Sequence, residues 1–92
     1  MPRLPRPVFA GVPHHIPQRG NRREDVFFSD EDRAAYLTWL EDYGAKYHVR
    51  VLAYCLMTNH VHIVAIPEKH DALEKVFRAL HTRYAQRINR AK

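Results

Sequence analysis

The chain has 92 residues, 46% of them hydrophobic and 27% charged, which is the composition of one globular domain near the lower end of what builds a comfortable core. A net charge of +5 favours an anionic partner, with nucleic acid the leading candidate. No run reaches the roughly 18 apolar residues of a membrane span, the opening MPRLPRPV lacks the apolar centre of a signal peptide, and Cys55 is the only cysteine, so a cytoplasmic domain without an intrachain disulfide is expected, with Cys55 a small buried hydrophobe in a reducing compartment.

Residues 1–13 carry four of the six prolines and two arginines and read as an extended lead-in to a single domain spanning 1–92. His14 to Arg19 forms a short strand, placed at a sheet edge because Pro13 and Pro17 have no N–H to give to a ladder. Gly20-Asn21 marks a turn. Ser29 is an N-cap, and Asp30, Glu31 and Asp32 put negative charge in the first helical turn, where the helix dipole favours it. Tyr36, Leu40, Tyr43 and Tyr47 then recur at helical spacing, widened by Leu37 and Trp39, which predicts a helix over 30–47 with its tyrosines in the core.

Two apolar runs follow, Val49 to Met57 and Val61 to Ile66, separated by a Thr58-Asn59 turn, and read as a β-hairpin. Both faces of each run are largely apolar, so cover on both sides is expected, by helices or by a partner subunit. Pro67 ends the hairpin. Asp71 caps a second helix running to Lys92, with Leu73, Val76, Phe77, Leu80, Tyr84 and Ile88 on one stripe and Arg83, Arg87 and Arg90 together on another face. Strand, helix, strand, strand, helix is a split βαβ unit without its final strand, and so thin a core invites dimerisation.

The stretch NHVHIVA, residues 59–65, carries the chemistry. Side chains in a strand alternate, so His60 and His62 project from one face with Cα atoms roughly 6.5 Å apart. Two imidazoles at that spacing can converge on one cation, while Val61 and Ile63 turn the other way into packing. The bland alternative is that one or both rings hydrogen-bond near the hairpin turn. Arg19, Asn21, Arg22 and Arg23 make a donor-rich turn suited to phosphates and splayed bases, against the alternative of a solvated basic loop. Arg83, Arg87 and Arg90 form a second basic strip.

NHVHIVA, together with QRGNRR at 18–23, FFSDEDR at 27–33 and RYAQRINR at 83–90, resembles the IS200-like and REP-associated tyrosine transposases, which belong to the HUH single-strand DNA nucleases. The resemblance covers about His14 to Arg90, with the separated blocks in the family's order. It implies an α+β fold: a ferredoxin-like, antiparallel split βαβ sheet with helices on one face, here without the final strand and the nucleophile helix. It implies DNA transposition by metal-dependent cleavage and rejoining of single-stranded or hairpin DNA, performed by a homodimer. His60 and His62 fall on the family's metal ligands, for Mg²⁺ or Mn²⁺. The family's nucleophile is a tyrosine that forms a 5′-phosphotyrosine and frees a 3′-OH. Tyr84 is the only tyrosine after the histidines, but it lies on the apolar stripe, and Ile88, one turn further on, cannot be the third ligand that the family places there. The resemblance therefore puts the nucleophile beyond Lys92 and makes the chain a truncated transposase with half of its site. His15 is a possible substitute ligand, with a structural or DNA-contacting role the simpler reading. A transposase derivative that only binds DNA is the other reading. A histidine-triad hydrolase is set aside because its third alternating position is Val64.

Overall fold

The computed structural model describes residues 8–19 and 25–91, with the side chains of Arg19 and Ala91 excepted. The expected DNA-contacting residues Asn21, Arg22 and Arg23, and most of the proline-rich lead-in, lie outside these residues.

Five elements follow in chain order: β1 (His14–Arg19), α1 (Asp30–Tyr47), β2 (Val49–Leu56), β3 (His60–Pro67) and α2 (Ala72–Ala91). The strands form an antiparallel sheet in the order β1-β3-β2. β1 and β2, joined through α1, thus run parallel to each other with β3 inserted between them, which is the split βαβ arrangement of a partial ferredoxin-like fold. β3 takes the central place and shows the strictest alternation: Val61, Ile63, Ala65 and Pro67 are buried, and the residues between them are half-buried. Pro67 is the last residue of the strand rather than a stop before it.

α1 begins as its sequence dictates. The Ser29 hydroxyl accepts from the Asp32 N–H at 3.1 Å, and three acids occupy the first turn, so orphan N–H groups and the dipole are both satisfied. The helix stops at His48, which adopts the left-handed conformation (φ 59°) and donates its N–H to the Gly44 carbonyl. β2 starts at the next residue, so this single left-handed residue makes the entire connection.

Gly44 is buried where α1 meets the start of β2, and a Cβ there would lie 3.0 Å from the Val49 carbonyl oxygen. Alanine normally stabilises a helix by about 1 kcal/mol relative to glycine, but here the obstructing atom is backbone. Gly44→Ala is therefore expected to lower the melting temperature, by about 5 °C. A thermal melt followed by circular dichroism checks it, and a raised midpoint would show that the α1–β2 connection yields.

Both helices pack on one face of the sheet. Tyr36 and Leu40 of α1 and Leu73, Val76, Phe77, Leu80 and Tyr84 of α2 join Ile16, Val61, Ile63 and Ala65 in one core. Ile88 lies partly buried at its margin. Phe27, Tyr36 and Tyr84 meet edge-to-face, with centroids 5.4–5.6 Å apart, a favoured aromatic geometry.

Among the described residues helices cover one face of the hairpin only, the arrangement expected of the split βαβ unit. β2 is an edge strand with an irregularity between Val51 and Ala53, and Leu52, Tyr54 and Met57 are about half exposed. The expectation for Cys55 is corrected: it is exposed, not buried. Among the described residues no helix is long and apolar enough to cross a membrane.

Candidate metal centre and nucleic-acid interface

The face of the sheet away from the helices is where the histidines gather. β3 directs Val61 and Ile63 into the core, so His60 and His62 project from the other side. Register places Arg19 opposite His60, Pro17 and Cys55 on either side of His62, and His15 opposite Val64. His15 is therefore diagonal to His62 across the β1–β3 pair, within reach of a long or aromatic side chain.

The rings are engaged with one another. His15 Nε2 lies 3.0 Å from His62 Nδ1, with the two rings stacked at 5.1 Å and nearly parallel. The His60 and His62 rings meet edge-to-face at 4.8 Å. His60 Nδ1 lies 2.6 Å from Asn59 Oδ1. In both His60 and His62 the partnered atom is Nδ1, which leaves Nε2 as the nitrogen open to a ligand. A metal-binding imidazole normally has its other nitrogen hydrogen-bonded in this way. The two rings thus fit as part of a metal's donor set. Among the described residues no three His, Cys, Asp or Glu side chains are grouped to hold a metal ion.

The turn that carries these histidines is held from the helical layer. Met57 donates its N–H to the His60 carbonyl at 2.9 Å, closing a two-residue Thr58-Asn59 loop. Neither loop residue has a positive φ, so the turn is not one of the primed types that usually close such hairpins. Its support is tertiary. The Thr58 carbonyl accepts from the N–H groups of Val26 (2.7 Å) and Phe27 (3.2 Å), and the Val26 carbonyl in turn accepts from the Tyr84 hydroxyl at 2.6 Å. A chain of hydrogen bonds therefore runs from α2 through the segment before α1 to the residue next to Asn59.

Tyr84 itself is buried in the aromatic core, on the helical side of the sheet. Burial raises its phenol well above the usual range, with the Asp32 carboxylate adding to the effect. Tyr54 pairs with Ile63 and so shares the helical side, and the other three tyrosines belong to α1. No tyrosine among the described residues stands on the face with His60 and His62.

The arginines of α2 lie along the junction with α1. Arg83 places its guanidinium 4.6 Å from the centroid of Trp39, a cation–π contact, and helps line a groove of about 550 Å³ with Tyr43, Tyr47, Lys75 and Arg78. Arg87 Nε donates to Asp32 Oδ1 at 3.1 Å. Arg90 is exposed in the last turn. Asp32, read from sequence only as a first-turn acid, proves to be buried. Burial opposes its ionisation, but the Phe28 N–H, Arg87 and Ser29 outweigh that and lower its pKa.

Sequence reasoning missed Asn59 as more than a turn residue, and the contact of His15 with His62. Only strand register joins residues 47 positions apart. For Asn59 the adjacency to His60 was a usable signal.

The architecture defines the class first: an α+β domain of the split βαβ type. The chain belongs, more particularly, to the family described as "Transposase IS200 like", which matches residues 10–92. DNA transposition is that family's role and DNA its partner. No curated protein and no solved structure matches the chain.

Proposed function

We propose that the domain acts in metal-dependent cleavage and rejoining of single-stranded or hairpin DNA, with His60 and His62 holding a divalent cation, Mg²⁺ or Mn²⁺. The observation that carries this reading is the pair of half-buried imidazoles on one open sheet face, each with Nδ1 already bonded to a neighbour. A bound cation supplies Lewis-acid polarisation of the scissile phosphate. The protein's own part is to hold two imidazoles at fixed separation on a strand that the core locks in register. Arg19 ends β1 opposite His60, and Arg19, Asn21, Arg22 and Arg23 are assigned to phosphates and unpaired bases. Arg83, Arg87 and Arg90 form a second strip, in which Arg87 is held by Asp32.

In the reaction, a tyrosine oxygen bonds to phosphorus as the P–O3′ bond breaks, and the phenolic proton finishes on the departing 3′ oxygen. The resulting 5′-phosphotyrosine stores the bond for rejoining. We assign that nucleophile to a residue other than Tyr84, supplied to the histidine face from outside the described core. The protein is further proposed to work as a homodimer in the cytoplasm.

Manganese binding by the intact protein, followed by the loss of the free Mn²⁺ electron paramagnetic resonance signal, tests the metal site. His60→Ala and His62→Ala are each expected to abolish binding while leaving the fold intact, because both rings lie outside the core. Binding retained in both variants would sink the assignment. A second reading, that the domain binds DNA without cutting it, is favoured by the absence of any described tyrosine on the histidine face. Incubation with labelled hairpin-flanked single-stranded DNA and Mn²⁺ separates the two readings: a covalent adduct supports cleavage, and retention on DNA without an adduct supports binding alone.

A further inference from the structure

A neutral imidazole carries one N–H and one lone pair, and its hydrogen-bond partner decides which nitrogen has which. Nothing intrinsic to His60 would leave its Nε2 free of a proton, since an isolated imidazole in water favours the Nε2–H form. Asn59 changes that choice. Its carboxamide oxygen, which can only accept, stands 2.6 Å from His60 Nδ1.

We infer that Asn59 is a positioning residue whose side chain fixes His60 in its Nδ1–H form, so that the Nε2 lone pair is available before any ligand arrives. This inference rests on the metal-binding reading of His60 for its purpose, but not for its geometry. The backbone supports it independently. Asn59 follows Thr58, whose carbonyl is pinned by two N–H groups from Val26 and Phe27, and precedes a residue paired into the central strand. The carboxamide is thus delivered to the ring by a restrained turn, at little cost in side-chain ordering. Residue 59 has no positive φ, so Asn is not needed there for its tolerance of the left-handed region.

Long-range proton–nitrogen correlation spectra of the ¹⁵N-labelled, metal-free protein, taken above the imidazole pKa range, read the tautomer directly. His60 is expected as Nδ1–H. Asn59→Ala should return it to the Nε2–H form, whereas Asn59→Asp, which keeps an acceptor oxygen, should retain Nδ1–H. Mn²⁺ affinity should fall about tenfold or more in Asn59→Ala, the usual effect of removing an outer partner of a metal ligand, and not in Asn59→Asp. Wild-type His60 found as Nε2–H, or a tautomer unmoved by Asn59→Ala, overturns the inference. A wild-type Nε2–H ring overturns it even if a variant fails to fold. An Nδ1–H ring in a protein that binds no Mn²⁺ would overturn the metal reading while upholding the role of Asn59.

Discussion

Tyr84→Ala is expected to remove about 3–5 kcal/mol of stability, a large part of what a domain of this size possesses, whereas Tyr84→Phe should cost only about 1 kcal/mol. The contrast follows from two separable roles of one side chain. Its ring packs edge-to-face on Phe27 and Tyr36 in the middle of the core, so truncation opens a cavity that the flanking rings cannot fill without leaving their own contacts. Its hydroxyl makes a single hydrogen bond, to the Val26 carbonyl, which phenylalanine forfeits without disturbing the packing. Urea denaturation of the two variants reads both numbers. The same pair decides the chemistry. A nucleophile would give the opposite pattern: Tyr84→Phe would keep nearly all of its stability and lose every covalent DNA adduct. The expected result is that any adduct the wild type forms survives in Tyr84→Phe. That substitution should instead loosen the Thr58-Asn59 turn, which Val26 supports, and this would register as faster amide exchange at Met57.

How much of this was readable beforehand varies with the range of the interaction. The bounds of α1 were legible because a helix start is a local chemical event: Ser29 and the three acids after it satisfy orphan N–H groups within one turn. β3 was legible as the second strand of a hairpin, from the apolar run that follows the Thr58-Asn59 turn, but its central place and its strict alternation in burial emerge only in the sheet. The edge position of β2 was not legible either, since its continuous apolar run gives no period from which to tell a doubly covered strand from an edge. Strand order decides that question, and here the β1–α1–β2 crossover leaves β3 between its two ends. Leu52, Tyr54 and Cys55 therefore lie open where burial was expected.

The site divides along the same line. The His60–His62 pair is written into the sequence as an alternation, and its shared face follows from pleat geometry alone. The stacking of His15 on His62 depends on which residues of β1 face which of β3, and a slip of one residue would abolish it. Asp32 and Arg87 make the sharpest case. One looked like a helix-dipole acid and the other like part of a basic strip, yet 55 residues apart in sequence they form a pair that ties the start of α1 to the last turns of α2. The pair also reassigns a positive charge: an arginine bonded to a buried carboxylate has less to offer a phosphate than an exposed neighbour such as Arg90.

Acidification should destabilise the fold well before the carboxylates titrate, and His81 should be the cause. Its ring sits against Phe77 and Tyr36, and the Tyr36 hydroxyl lies 3.3 Å from its Nε2. Burial holds the Tyr36 phenol protonated by pushing its pKa far up, so the phenol donates and the imidazole accepts, which requires the neutral ring. Burial likewise pushes the His81 pKa from 6.5 down to about 4. The sign follows from proton counts. Below pH 6.5 the unfolded chain protonates this histidine while the folded one does not until about pH 4, so the unfolded state binds more protons and stability falls as pH falls through that window. A shift of that size corresponds to at most about 3 kcal/mol, and the ring's residual exposure brings the expected loss nearer 2 kcal/mol. His81→Gln keeps an acceptor for Tyr36 and cannot titrate, so urea midpoints measured from pH 7 to pH 4 should fall steeply for the wild type and stay nearly level for the variant. Parallel slopes in the two proteins would place the acid sensitivity elsewhere. Asp32 contributes only further down, since its pKa is lowered in the fold: its stabilisation is complete above the ordinary carboxylate range and is lost as pH drops through the depressed value. The acid limb should therefore show two steps, an upper one that His81→Gln removes and a lower one that it leaves in place.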